Sequence, residues 1–188
     1  MNKVLFLDRD GVINKVVKNE KCEYDSPQNI DEVCLVEGIE KLIGFANKNN
    51  IMVIEVTNQP AVAKGKMSME LCQQIENQID KLLLEKEVRI DKKYICYHQL
   101  IDDCICRKPK PGMLLQATKE LDIDLKNSVM MGDRDWDVMA GKAAGCKTIL
   151  YLFNEDSPEK IKFAMESNPD YKVWSMDEAL IIIKQILS

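Results

Sequence analysis

The sequence KVLFLDRDGVIN, at residues 3–14, joins a short apolar run to a cluster of charged residues. An unbroken apolar run of this length is typical of a strand buried on both faces, as in a parallel sheet. Similar runs recur at residues 51–56, 93–96, 128–132, 148–152 and, more briefly, near 171–174. Segments with helical spacing of apolar residues lie between them and at the end of the chain, at 38–48, from Ser68 through Leu83, after Gly112 through Leu121, near 135–144 and 158–166, and from about Met176. This alternation predicts an α/β fold, a Rossmann-like three-layer sandwich with a mainly parallel sheet.

Length and composition favour one globular domain over residues 1–188, with 46% hydrophobic and 30% charged residues. No apolar run approaches the roughly 20 residues of a membrane helix, and the start of the chain does not resemble a signal peptide. We therefore expect a cytoplasmic protein without disulfides or a membrane partner. The net charge of −5 argues against a nucleic-acid partner, and we expect a monomer.

Polar residues follow the predicted strands where ligand sites form in such folds, just beyond the carboxyl ends. The candidates are Asp8 and Asp10 after the first strand, Thr57 and Asn58 after the second, Arg107 and Lys108 after the third, and Asp133, Asp135 and Asp137 after the fourth. Neither aspartate cluster fits an EF-hand, because glycine and glutamate do not stand at the required positions. Carboxylates at adjacent strand ends repel unless a cation lies between them, and hard oxygen ligands suit Mg²⁺. Carboxylates beside a metal, with a hydroxyl and a lysine facing them, indicate phosphoryl transfer through an aspartyl-phosphate.

Four motifs in this order, FLDRDGVIN, VTNQ, CRKPKPGM and MGDRDWD, resemble those of the haloacid dehalogenase (HAD) superfamily of phosphatases. The likeness runs from Val4 to about Gly145 and is greatest to the branch that contains heptose-bisphosphate and histidinol-phosphate phosphatases. It implies a minimal cap without a separate cap domain, and a small phosphorylated metabolite as the binding partner. The residues of the CRKPKPGM and VTNQ regions favour a heptose bisphosphate, with histidinol phosphate or another small sugar phosphate as the alternative. A nucleic-acid 3′-end phosphatase and a non-catalytic zinc-stabilised binding protein are the less favoured hypotheses.

The resemblance implies roles for individual residues. Asp8 is the nucleophile, Asp10 is the general acid and base, and Lys108 offsets negative charge and orients Asp8. Thr57 and Asn58 hold the phosphoryl oxygens, while Arg107 and Arg134 are candidates for binding the substrate. The implied Mg²⁺ ligands are the Asp8 carboxylate, the Asp10 main-chain carbonyl and Asp133, with Asp137 as a candidate through water. A proton donor at neutral pH needs a raised pKa, and crowding by Asp8 and Asp133 predicts such a rise for Asp10, against which Mg²⁺ would act.

The loop before Lys108 carries a second set of ligands, Cys96, His98, Cys104 and Cys106, in the pattern C-x-H-x5-C-x-C. In an extended chain, residues i and i+2 point the same way, so each pair offers two ligands to one side. Four protein ligands with no open position predict a closed, structural Zn²⁺ site. A dithiol redox site is less favoured because the spacing is not C-x-x-C. The remaining cysteines, Cys22, Cys34, Cys72 and Cys146, are expected to be small buried residues.

The segment at residues 15–32 has no clear periodicity and is predicted to be a loop over the site. We expect the zinc loop to fix the position of Lys108, so that the lysine meets Asp8.

Overall fold

A computed structural model describes residues 1–19, 22–153 and 158–188. Its strands are β1 (Val4–Leu7), β2 (Val17–Asn19), β3 (Cys22–Asp25), β4 (Met52–Asn58), β5 (Lys92–Cys96), β6 (Val129–Gly132), β7 (Lys147–Tyr151) and β8 (Tyr171–Val173). Six of them form one sheet in the order β5-β4-β1-β6-β7-β8, and every neighbouring pair is parallel. β1 therefore lies at the centre, as its fully apolar sequence predicts, because both of its faces must be covered.

Helices cover both faces of this sheet. They are α1 (Ile39–Lys48), α2 (Met69–Glu85), α3 (Gly112–Leu121), α4 (Asp135–Ala144), α5 (Pro158–Glu166) and α6 (Met176–Leu187). Leu5 and Leu7 of β1 pack in one apolar cluster with α1, α2 and α6, whereas Val4 and Phe6 pack in another with α3 and α4. Successive side chains of a strand point to opposite faces, so this split places β1 in the middle layer of three. The predicted three-layer α/β fold is confirmed.

The start of α2 agrees with the sequence. The Ser68 hydroxyl accepts a hydrogen bond from the Leu71 backbone N–H at 3.0 Å and caps α2, as expected of a serine before a helical apolar pattern. The buried face of α2 carries Cys72, Ile75, Ile79 and Leu83, together with one charged residue, Glu76. No helix within the described ranges is both long enough and apolar enough to cross a membrane.

The segment at residues 15–32 has more structure than its sequence predicts. It contains an antiparallel pair, β2 with β3, and a 3-10 turn at Ile30–Glu32. Residues 20 and 21 lie outside the described part of the chain, and so do the side chains of residues 18–25. Ser26, just after β3, donates a hydrogen bond to the Asp10 carboxylate at 2.8 Å. The segment therefore reaches the predicted site through that contact.

Candidate active site and metal centre

The carboxyl ends of the central strands bring three aspartates together. Asp8 follows β1 and Asp133 follows β6, and these strands are paired so that the Asp8 backbone N–H donates to the Met131 carbonyl at 3.0 Å. Asp137 lies in the first turn of α4 and accepts from the Arg134 backbone N–H at 3.1 Å. One carboxylate oxygen from each aspartate lies within 4.8 Å of the others, and all three side chains are buried. The sequence prediction that Asp8 and Asp133 meet is confirmed, with Asp137 beside them.

Lys108 lies against this acidic cluster. Its Nζ lies 2.7 Å from Asp8 Oδ1, 2.6 Å from Asp137 Oδ1 and 2.7 Å from the Val56 carbonyl oxygen. Burial alone would lower the pKa of Lys108, but the charges of Asp137 and Asp8 outweigh that effect and raise it. Lys108 is therefore a permanent cation that contacts the predicted nucleophile.

The acidic cluster has more carboxylates than neighbouring cations, as expected of a site that binds a metal ion. Of the three buried carboxylates, those of Asp8 and Asp137 contact the Lys108 ammonium, while Arg134 reaches Asp133 from the rim with Nε 3.5 Å from Oδ2. Burial raises the pKa of Asp137 well above its usual range, and the negative charges of Asp8 and Asp133 add to the rise. An excess of buried carboxylate oxygens at this spacing is a donor set that suits a hard divalent cation such as Mg²⁺.

Asp10 differs from the prediction in its electrostatics. Its carboxylate does not belong to the acidic cluster of Asp8, Asp133 and Asp137, and it faces the buried guanidinium of Arg9, whose Nη2 lies 2.9 Å from Oδ2. Burial alone would raise the pKa of Asp10, but the Arg9 charge and hydrogen bonds from Asn14, Arg9 and Gln59 hold it below its usual range. The expected rise in the pKa of Asp10 is therefore wrong, because the nearest strong charge is a cation.

Asn58 contacts the backbone of Lys108. Its Nδ2 donates to the Lys108 carbonyl at 3.0 Å, and its Oδ1 accepts from the Lys108 backbone N–H at 3.1 Å. One N–H and the oxygen of the Asn58 amide thus fix the backbone of Lys108. The neighbouring Thr57 is buried at the end of β4, and its hydroxyl accepts from Gln59 Nε2 at 3.0 Å.

The four predicted zinc ligands converge. The Sγ atom of Cys106 lies 3.1 Å from that of Cys96 and 3.4 Å from that of Cys104, and the Cys96–Cys104 distance is 3.7 Å. His98 Nδ1 lies 3.2 Å from Cys106 Sγ and 3.6 Å from Cys96 Sγ. Sulfur atoms at these separations are not joined by disulfides, whose S–S bond is about 2.05 Å. Three sulfurs and one imidazole nitrogen around one centre are the donor set of a closed tetrahedral zinc site.

The two halves of the zinc loop are joined by Arg107. Its Nη1 donates to the His98 carbonyl at 3.1 Å, so part of this guanidinium supports the loop that precedes Lys108. The second substrate-binding candidate, Arg134, lies over the Trp136 ring, 5.6 Å from its centroid, and close to Asp133. Of the two arginines, Arg134 is the one that borders the acidic cluster.

The other cysteines follow the prediction only in part. Cys72 and Cys146 are buried, as expected, but Cys34 is exposed. The Cys22 side chain lies outside the described residues.

Sequence reasoning missed the polar residues that contact Asp10, namely Arg9, Asn14, Ser26 and Gln59, and it missed Glu76, which contacts Arg9. The signal for Glu76 was present, since it is a charged residue on the apolar stripe of α2 and a buried charge needs a partner. The signal for Arg9 was its position between the two aspartates of the first motif, but its burial could not be read from the sequence.

Comparison with known proteins agrees with this geometry. Residues 105–179 match the HAD-hydrolase-like family model. The D-glycero-beta-D-manno-heptose-1,7-bisphosphate 7-phosphatase of Pasteurella multocida is 34% identical over 90% of this chain and 95% of its own length. The chain therefore belongs to the haloacid dehalogenase-like hydrolases and is a phosphatase.

Two further relatives carry related names. The D-glycero-alpha-D-manno-heptose-1,7-bisphosphate 7-phosphatase of Campylobacter jejuni is 37% identical over 84% of this chain and 86% of its own. A crystal structure of the D,D-heptose 1,7-bisphosphate phosphatase from B. bronchiseptica, complexed with magnesium and phosphate, has a TM-score of 0.80 at 26% identity and covers 98% of both chains. The relatives from Pasteurella multocida and Campylobacter jejuni are thus named as heptose-bisphosphate phosphatases, one for the beta and one for the alpha anomer.

Proposed function

We propose that the chain is a Mg²⁺-dependent phosphomonoesterase that removes the 7-phosphate of D-glycero-D-manno-heptose 1,7-bisphosphate through an aspartyl-phosphate. The observation that carries the chemistry is the cluster of Asp8, Asp133 and Asp137 against the buried Lys108. The names of the relatives from Pasteurella multocida and Campylobacter jejuni support the choice of substrate. We further propose that the protein acts as a monomer in the cytoplasm.

Asp8 is the proposed nucleophile. Its carboxylate oxygen attacks phosphorus, the bond from phosphorus to the sugar oxygen breaks, and Asp10 gives its proton to the departing alkoxide. Asp10 then takes a proton from water, whose oxygen attacks phosphorus and releases inorganic phosphate, so that the Asp8 carboxylate is regenerated. Contacts with Arg9 and Gln59 favour the ionised form of Asp10, which the second step uses. The dianionic phosphate that arrives beside Asp10 favours the protonated form, which the first step uses.

The remaining residues bind and orient. Lys108 holds the Asp8 carboxylate and offsets the charge that develops on the phosphoryl group. Thr57 is proposed to donate its hydroxyl proton to a phosphoryl oxygen, while Asn58 acts through Lys108, whose backbone it holds. Arg134, at the rim, is the proposed contact for the rest of the substrate.

Two metals complete the proposal. Mg²⁺, held by Asp8, the Asp10 carbonyl and Asp133 with Asp137 nearby, would neutralise charge on the phosphoryl group when bound. Zn²⁺ at Cys96, His98, Cys104 and Cys106 is structural. It would fix the loop that leads through Arg107 to Lys108.

The nucleophile is tested by Asp8→Asn. The asparagine oxygen can still accept from Lys108, so we expect normal folding with loss of Mg²⁺-dependent phosphate release from the heptose bisphosphate. Asp177→Asn, at an exposed ion pair with Lys41, is the matched control and should keep full activity. Phosphate release by Asp8→Asn at the wild-type rate would contradict the aspartyl-phosphate mechanism.

The substrate is tested by measuring phosphate release from both anomers of the heptose bisphosphate and from histidinol phosphate. We expect kcat/KM to be highest for one of the heptose bisphosphates. A higher value for histidinol phosphate would overturn the substrate while leaving the chemistry intact.

A further inference from the structure

Asp10 is held by a buried ionic network that continues through Arg9 to Glu76, and Glu76 has no part in the reaction described above. We propose that Arg9, itself oriented by Glu76, is a positioning residue that sets the Asp10 carboxylate in place for proton transfer to the leaving group. This inference rests on the acid–base role proposed for Asp10.

The Arg9 guanidinium lies between the carboxylates of Asp10 and Glu76 and donates hydrogen bonds to both. Its side chain is 1% exposed. On one side, Nε and Nη2 donate to Asp10, with distances of 3.3 Å from Nε to Oδ1, 3.1 Å from Nη2 to Oδ1 and 2.9 Å from Nη2 to Oδ2. On the other side, Nη1 donates to Glu76 Oε1 at 2.7 Å. Because the guanidinium is planar and rigid, its contact with Glu76 also sets the angle at which it meets Asp10.

Three neutral donors complete the shell around Asp10. Gln59 Nε2 and the Ser26 hydroxyl donate to Oδ2 at 2.7 and 2.8 Å, and Asn14 Nδ2 donates to Oδ1 at 3.0 Å. These donors come from separate segments of the chain, so rotation of the carboxylate would break several contacts at once. Arg9 is the charged member of the set, and its contacts with both oxygens define the plane of the carboxylate.

The support behind Arg9 reaches the surface of the protein. Glu76, 2% exposed, accepts from Lys93 Nζ at 2.8 Å through its second oxygen. Lys93 also pairs with Asp80 at 2.8 Å, which is half-exposed, and lies 3.8 Å from the fully buried Glu55. Buried ion pairs of this kind are a weak source of stability because desolvation offsets the attraction. The network instead holds the Asp10 carboxylate, at its buried end, in one orientation.

The test compares leaving groups. An alkoxide needs a proton to depart, whereas 4-nitrophenolate departs as a stable anion. Misplacing Asp10 should therefore slow the hydrolysis of an alkyl phosphate more than that of 4-nitrophenyl phosphate. The measured quantity is kcat/KM for the heptose bisphosphate, or for any alkyl phosphomonoester that the enzyme hydrolyses, divided by kcat/KM for 4-nitrophenyl phosphate.

Two variants perturb the contacts that Arg9 makes with Asp10 and Glu76. Arg9→Lys keeps the charge but loses the planar donors, and Glu76→Gln keeps an acceptor for Arg9 but loses the charge that orients it. We expect the ratio to fall about 10-fold in Arg9→Lys and about 3-fold in Glu76→Gln, fractions of the 10²–10⁴ that acid–base catalysis supplies. Asp80→Asn is the matched control on the same helix. It contacts Lys93 but not Arg9, and it should leave the ratio unchanged.

Asp10→Asn separates this inference from the function on which it rests. If Asp10→Asn lowers the ratio strongly while Arg9→Lys and Glu76→Gln lower both rates by one common factor, the positioning role is overturned and the acid–base role stands. If Asp10→Asn itself leaves the ratio unchanged, the proposed role of Asp10 fails. Should Arg9→Lys not fold, Glu76→Gln carries the test, since its amide oxygen still accepts from Arg9.

Discussion

Replacing Lys108 with methionine should expose how the acidic cluster is kept stable. The lysine is 2% exposed, and its ammonium contacts Asp8, Asp137 and the Val56 carbonyl at 2.6–2.7 Å. Methionine fills a similar volume without a charge, so the substitution removes one partner of two buried ion pairs and leaves the carboxylates in place.

Two estimates of the cost agree. Removing one partner of a buried ion pair typically destabilises a protein by about 3–5 kcal/mol. A carboxylate can instead take up a proton, which at pH 7 costs about 1.4 kcal/mol for each unit above its unfolded pKa of about 4, or about 4 kcal/mol. We therefore expect Lys108→Met to lower the free energy of unfolding by about 3–4 kcal/mol at pH 7.

The same reasoning predicts how the loss in unfolding free energy of Lys108→Met depends on pH. The pKa of Lys108 is raised, so the lysine is charged in the wild type throughout the range from pH 4 to pH 8 and adds no slope there. In the variant, which lacks the Lys108 charge, the pKa of Asp137 rises further than in the wild type, so the deficit relative to the wild type is largest above the folded pKa of the variant and shrinks as the pH falls toward about 4.

The assay is urea unfolding of the metal-free wild type and of Lys108→Met at pH 7 and at pH 4.5. Lys110→Met, at an exposed ion pair with Asp103, is the control and should match the wild type. Phosphate release by Lys108→Met should fall by about 10²–10³. An unfolding free energy equal to that of the wild type at pH 7, or a deficit of the same size at both pH values, would refute the reasoning.

Three further outcomes are expected. Cys104→Ser should lower the zinc content, reduce turnover even where the fold survives, and lower Tm by several degrees, since about 2 kcal/mol corresponds to roughly 4–8 °C at this chain length. Cys146→Ser, away from the zinc ligands, is the control. Unchanged metal stoichiometry in Cys104→Ser would rule out the zinc site. Gly11→Ala should weaken Mg²⁺ binding, measured by calorimetry, because the glycine has φ +91° and a Cβ would meet Asp133 Cγ at 2.7 Å. Equal affinity would show that Asp133 is not displaced. The metal-free wild type should lose stability as the pH rises from about 4 through the raised pKa of Asp137, and Mg²⁺ should reduce that loss in thermal unfolding; the same pH profile with and without Mg²⁺ would contradict this.

Most of the fold could be read from local patterns. The apolar run of β1 and its repeats along the chain predicted a parallel sheet, because a strand covered on both faces has no need for polar alternation. The helices between the strands followed from apolar spacing and from a cap such as Ser68. The pair of strands within residues 15–32 was not predicted, because that segment has neither a long apolar run nor helical spacing.

The sequence by itself determined which residues gather at the strand ends. Once the strands are parallel, their carboxyl ends share one edge, and Asp8, Lys108 and Asp133 must come close although Lys108 lies 100 residues after Asp8. The zinc loop was equally readable, because alternation along an extended chain turns C-x-H and C-x-C toward the same side.

Only the tertiary structure decided what each side chain contacts. Asn58 lies one residue after Thr57, yet its amide binds the Lys108 backbone, across 50 residues of sequence. Arg9 lies between two aspartates, yet it is buried against Glu76, 67 residues away, and it reverses the expected shift in the pKa of Asp10. A pKa depends on the nearest charges and on burial, and both are set by packing between segments that are remote in the chain. Local patterns place residues on elements, but the partners of a buried charge follow from how those elements pack.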